Sequence, residues 1–269
     1  MALQGQDKGA PFTMMANYDL HTHTTFSDGA HTVDITVKFA EAMGLEAVAI
    51  TDHLTPGTRL YEEEGLLDIY LKEVERASKW ADVLVLKGAE ATILDLEGHI
   101  SMDDETFSKL DVVLVDLGGH SRGIIRDPPK SRSKLLANVT KCVVEVASNP
   151  LFHVLAHPFS LGRLPEPIEP SHIPQEDLRE MAQAMRENGK VFEVMNCTFW
   201  WFPRMEVKRF TEQYVDIVRT FAQEGVSFSV GSDDHRTGVG NIGWSLRVLR
   251  EAEVTPEQIV DPKAFLDRT

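Results

Sequence analysis

Cysteine is nearly absent: Cys142 and Cys197 are the whole complement of the 269 residues. Two thiols cannot staple a disulfide scaffold, so the chain fits a reducing, cytoplasmic setting. Long apolar runs are missing too. None approaches the roughly 20 residues of a membrane span, and the N-terminus lacks the basic-then-apolar pattern of a secretory signal. Positive charge is scarce. With 27 Lys+Arg against 42 Asp+Glu the formal net charge is −15, which argues against a general nucleic-acid binder. Part of that excess would vanish if carboxylates hold divalent cations. Two catalytic signatures are also lacking. No Gly-rich loop leads into Lys-Ser/Thr, and no Gly-x-Ser-x-Gly elbow presents a serine nucleophile. No linker-like tract, internal repeat or charge block divides the chain. Residues 1–16 are polar and aperiodic and read as a mobile leader, and 17–269 read as a single domain.

What is present is an alternation. Strands are expected over 18–23, 47–50, 83–86, 112–115, 152–156, 191–194 and 226–230. The four-residue apolar run Ala47-Val48-Ala49-Ile50 has no polar face, as befits a parallel strand covered on both sides. Helices are expected over 32–43, 66–80, 133–147, 175–187, 211–224 and 240–252, with a short tail helix after Pro256. Thr32 is placed to cap the first, and Gly44, Gly189 and Gly225 follow helix ends. Seven strands alternating with helices predict a parallel α/β barrel, whose active site assembles at the carboxyl ends of the strands.

Six of the seven strands run into His, Glu or Asp. The first delivers His21-Thr22-His23, whose two imidazoles share a strand face because side chains alternate with a period of two. Asp28 follows in the loop behind. Later strands deliver His53, Glu90, His120, His157, Asp233 and His235. Nine nitrogen and oxygen ligands suit zinc, manganese or iron better than calcium, and are too many for one ion. Two or three divalent ions are the natural count.

These residues give the chain a resemblance to the PHP (polymerase and histidinol phosphatase) superfamily. The likeness runs from residue 18 to about 250. It rests on His21-Thr22-His23 with Ser27-Asp28-Gly29, Thr51-Asp52-His53, Gly88-Ala89-Glu90, His120, Ala156-His157-Pro158 and Ser232-Asp233-Asp234-His235. The spacing from Glu90 to His120, and the stretch 191–196, look most like the three-zinc bacterial phosphatases and the PHP module of bacterial X-family DNA polymerases. The resemblance implies a distorted seven-stranded, TIM-like (β/α)7 barrel with a multinuclear metal site at the C-terminal strand ends. It implies that His21, His23, Glu90 and Asp233 hold one ion, that Glu90 bridges to a second held by His120 and His157, and that Asp28, His53 and His235 hold a third. Some family members place a histidine near position 28, where this chain has Asp28, so the third site departs from the pattern.

The chemistry expected is hydrolysis of a small phosphate monoester (histidinol phosphate, a nucleotide or a sugar phosphate) by metal-bound hydroxide, with Glu90, Asp233 and His235 as catalytic residues. For the phosphate, Arg122, Arg163 and Arg236 are the candidate cations. Arg122 belongs to a basic loop with Arg126, Lys130, Arg132 and Lys134, which reads either as an anion site or as a solvated loop. Four aromatics, Phe199-Trp200-Trp201-Phe202, follow the sixth strand. They read as a substrate platform led by Trp200, as a lid, or as the contact of a homo-oligomer; Asn196 just before them is placed to orient a ligand. Asp52 and Asp234, beside ligands, are expected to orient imidazoles, whereas His99, His153 and His172 read as ordinary polar positions. A 3′–5′ exonuclease or phosphodiesterase acting on nucleic acid is the alternative within catalysis, and a non-catalytic PHP-like binding module the alternative outside it.

Overall fold

The computed structural model describes residues 16–267. The expected leader therefore lies, but for Ala16, outside the described residues. Seven strands, β1 (Tyr18–Asp19), β2 (Ala47–Ile50), β3 (Leu84–Thr92), β4 (Val112–Asp116), β5 (Val154–Ala156), β6 (Val191–Met195) and β7 (Ser227–Gly231), form one sheet in sequential order. Every pair is parallel. Between them lie α1 (Val33–Ala42), α2 (Arg59–Glu62), α3 (Leu66–Ser78), α4 (Asp104–Phe107), α5 (Arg132–Ala147), α6 (Gln175–Glu187) and α7 (Val207–Gln223), and α8 (Gly243–Glu251) follows the last strand. This is the expected distorted (β/α)7 barrel, and its strands are buried almost end to end.

Closure falls between the first and last strands. Leu20 N–H donates to the Val230 carbonyl at 3.1 Å, Asp233 N–H to His21 at 2.9 Å, and His23 N–H to Asp234 at 2.8 Å. Regular pairing of β1 nevertheless stops at Asp19, four residues short of the expected end. Side chains take over the ladder there. The buried Asp19 carboxylate accepts N–H groups of His21, Ser232 and Gly240 at 3.2, 2.9 and 2.8 Å. Thr51 Oγ1 accepts the Thr22 N–H at 3.0 Å, and Thr22 Oγ1 donates to the Ala49 carbonyl at 2.7 Å. Buried backbone donors must find partners, and here they find them without a continuous strand, which frees 20–23 to bend over the barrel mouth.

The helices depart from expectation mainly at their ends. Helix α7 starts at Val207, four residues early, because Phe210 is already fully buried on its inner face. The tail after Pro256 forms two short 3-10 segments (Pro256–Gln258 and Pro262–Phe265) in place of the expected helix. Strand β3 runs to Thr92, well past residue 86, because it pairs with β2 at its start and β4 at its end. No helix among the described residues is long and apolar enough to cross a membrane.

Candidate metal centre

At the carboxyl ends of the strands, histidines and carboxylates from six loops and strand ends fall into three overlapping groups: His21–His23–Asp233, His21–Glu90–His157, and His23–Asp28–His53–His235. The deepest is the tightest. His21 Nε2 and His23 Nε2 are 3.1 Å apart. Asp233 Oδ1 lies 3.5 Å from the first and 3.2 Å from the second, and Glu90 Oε2 lies 3.4 and 3.5 Å from the same two atoms. Ligands about 2.0–2.2 Å from a tetrahedral ion stand about 3.3–3.6 Å from one another. Glu90 Oε2 also lies 2.7 Å from His53 Nδ1, yet it makes no well-formed hydrogen bond although it is fully buried. Two imidazole nitrogens facing each other beside two carboxylate oxygens, one of them without a well-formed hydrogen bond, fit a cation.

The backbone is bent to bring them there. His157 and Asp233 adopt positive φ, 29° and 54°, a conformation that costs non-glycine residues energy and clusters at functional sites. Burial is graded outward: His21, His23 and Glu90 are buried, His53 and His235 are partly open, and Asp28 is 60 % exposed at the rim. The outer group is held by His235 Nε2 at 3.2 Å and His53 Nε2 at 3.6 Å from Asp28 Oδ1.

Charge follows this layout. Burial opposes a proton on His21, but the carboxylates of Glu193, Glu90 and Asp233 outweigh it and hold its pKa well above the ordinary value. His53 is likewise raised to about 9 against its burial, chiefly by Glu90. His23, buried among other imidazoles, is lowered. Glu90 and Asp233 are held low despite burial by the surrounding histidines, and Asp28 falls to about 2 through its bond to His235. Without cations, the cluster balances its carboxylates by protonating imidazoles.

Sequence reasoning missed two carboxylates. Glu193 on β6 accepts the His21 Nδ1–H at 2.9 Å and the His157 backbone N–H at 2.7 Å, and is buried. It fixes His21 with Nε2 toward the site, the usual task of a carboxylate behind a ligand. Gly231 makes room for this bond: a Cβ there would lie 2.4 Å from Glu193 Oε1 and 2.5 Å from His21 Cβ. The signal was a lone charge inside the apolar run 191–194. Asp116, the last residue of β4, lines the site cavity beside Glu90 and His157. Its pKa is raised by burial and by Glu90.

His120 is in none of the three groups. It stands on the turn beyond Gly118-Gly119, which carries the chain past the strand end before the imidazole is reached. Asp52 and Asp234 orient loops, not imidazoles. Asp52 accepts from the Thr24 and Ser27 backbones and hydroxyls, and Asp234 from the N–H groups of Arg236 and Gly238.

The cavity over the cluster, about 410 Å³, is lined among others by Asp116, Arg163, Asn196, Trp200 and Trp201. Arg163 Nη2 donates to Ser160 Oγ at 2.8 Å and its guanidinium sits 4.9 Å over the Trp201 ring, which in turn packs 4.8 Å from His157. Arg122 and Arg236 are exposed and do not line it. Asn196 is buried and its amide is committed, accepting the Trp244 N–H at 3.0 Å and donating to Cys197 Sγ at 2.9 Å, so it braces β6 against α8. The aromatic run divides: Phe202 is buried against Phe210, Phe199 packs edge-on to Trp244, and Trp200 is 78 % exposed at the cavity mouth. His99 and His172 bond to Asp95 and to the Glu169 N–H, and His153 accepts the Val113 N–H, all away from the cluster.

Known proteins resemble this chain over most of its length. The family model described as "PHP domain" matches residues 19–197. A "probable phosphatase" of Acetivibrio thermocellus is 31% identical over 247 residues, 90% of each chain. Another, of Caldanaerobacter subterraneus subsp. tengcongensis, is 30% identical over 90% of this chain and 85% of its own. Among solved structures, histidinol phosphate phosphatase from Lactococcus lactis subsp. lactis, complexed with zinc, L-histidinol and phosphate, superposes with a TM-score of 0.64. It is 18% identical, over 89% of this chain and 95% of the other.

Proposed function

The chain belongs to the PHP domain family, and on that premise we propose that it is a metal-dependent phosphatase acting on a small phosphate monoester. The observation that carries the proposal is the set of five separations of 3.1–3.5 Å among His21, His23, Glu90 and Asp233. These four would hold one ion. Glu90 and His157 would contribute to a second, and Asp28, His53 and His235 to a third. Divalent ions bound there would supply an acidified water and neutralise phosphoryl oxygens.

The chain's own side chains do the remaining work. Glu193 keeps His21 turned into the site, and His21, common to both inner groups, would tie them together with Glu90 beside it. Arg163, braced by Ser160 and Trp201, offers its guanidinium to a phosphoryl oxygen on the cavity wall. Trp200 presents a flat face to the organic part of the ester. A cavity of about 410 Å³ suits a small ligand. Histidinol phosphate, a nucleotide and a sugar phosphate all meet this description, and the net charge of −15 disfavours a polynucleotide.

The test compares release from p-nitrophenyl phosphate, its bis ester and labelled single-stranded DNA, with manganese or zinc added. Hydrolysis of the monoester, abolished by chelator, is the expected result. Cleavage of DNA alone would replace this reading with the exonuclease, and no turnover on any substrate would favour a binding module.

A further inference from the structure

Strand β4 ends between the two strands that carry the inner ligands. Asp116 pairs in register with Thr92 on β3, two residues past Glu90, and with Ala156 on β5, one residue before His157. Its Oδ1 is buried and has no hydrogen-bond partner. The carboxylate shares the cavity wall with Glu90, His157 and Arg163. Two carboxylates thus share that wall: Asp116 Oδ1 is open, and Glu90 Oε1 faces His157 Nε2 at 3.0 Å, a set of donors into which a cation fits.

The next residues are built around it. Gly118 lies directly under the Asp116 carboxylate, where a Cβ would fall 2.0 Å from Oδ2. No side chain fits at 118 unless that carboxylate moves. His120 lies past this point on a turn; neither residue is in the three close ligand groups, but Asp116 lines the cavity with Glu90 and His157 and His120 does not.

We infer that Asp116, and not His120, is the β4 ligand of the ion held between Glu90 and His157. This rests on the metal-centre reading above and deepens it. The consequence is chemical: with two carboxylates beside His157, that ion has a harder, more anionic setting than an imidazole would give. Such a setting suits manganese better than zinc.

Metal content of the purified full chain, measured by plasma mass spectrometry after dialysis against equal manganese and zinc, tests it. Four proteins are compared: wild type, Asp116→Asn, Gly118→Ala and His120→Ala, each checked for folding by circular dichroism. Asp116→Asn and Gly118→Ala should each lose about one equivalent, chiefly manganese, and His120→Ala should match wild type. Gly118→Ala keeps the acid in the sequence but displaces it, so its result stands even if Asp116→Asn fails to fold. Loss of the equivalent in His120→Ala, or full metal content in both Asp116→Asn and Gly118→Ala, overturns the assignment while leaving the metal centre intact. A wild type that takes up no metal overturns the metal-centre reading itself, and the assignment falls with it.

Discussion

His23 belongs both to the deep group with His21 and Asp233 and to the outer group with Asp28, His53 and His235. Removing it should therefore disable two positions at once. His23→Ala and Asp233→Ala are each expected to lower phosphatase activity by more than about a hundredfold while the circular dichroism spectrum stays native, since even outer partners of metal ligands are worth about 10–100-fold. Glu193→Gln, which keeps the shape but weakens the hold on His21, should cost about 10–100-fold in metal affinity, read by titration calorimetry. Retained activity in both ligand variants would count against the site.

Protons and metals also compete at single residues. In the metal-free chain His53 is raised from 6.5 to about 9. The stability this contributes is fully present below pH 6.5 and is lost as pH rises through about 9. Metal binding must displace that proton, so affinity changes the opposite way and rises over the same window. Chelated protein should thus become less stable to urea from pH 6.5 to 9, while metal affinity increases. Parallel trends would contradict the proton inventory of the cluster.

At the scale of elements, Gly231 at the end of β7 is the tightest point, because His21 and Glu193 close over it. Gly231→Ala should destabilise the chelated protein by about 1–3 kcal/mol, the usual cost of overpacking a filled core, measured by urea denaturation. The elements themselves were largely legible. Apolar runs such as 47–50 and 112–115 have no polar face, and that alone separates parallel buried strands from the amphipathic helices between them. The clustered His and carboxylate side chains on strand ends were legible because a charged residue ending an apolar run is out of place. Three things were not. Glu193 sits inside its run, and its partner His21 is distant in sequence, so only the barrel's curvature brings them together. Asp116 was eclipsed by a histidine four residues later, since a loop's path cannot be read from residue types. Strand β1 stops early because Asp19, Thr22 and Thr51 side chains replace its ladder, a substitution that leaves no periodic trace.

For the whole molecule, the centre lies on the seam where the barrel closes. His21, Thr22 and His23 come from the first strand's extension and Asp233, Asp234 and His235 from the last, and they are cross-linked by backbone bonds. An ion held across that seam ties one end of the chain to the other. Ligand binding at about a thousandfold above Kd stabilises by about 4 kcal/mol, and for a domain of this size each kcal/mol moves Tm by about 2–4 °C. Chelation should accordingly lower Tm by on the order of ten degrees in scanning calorimetry, and manganese or zinc should restore it. An unchanged Tm would mean that the seam is held by hydrogen bonds alone.

The most direct test is anomalous diffraction from crystals grown with manganese and zinc and soaked in phosphate. Collected on either side of each metal's absorption edge, the data should place at least two ions among His21, His23, Glu90, His157 and Asp233, with phosphate within reach of Arg163. Phosphate bound in the cavity with no anomalous peak beside those side chains would contradict the account.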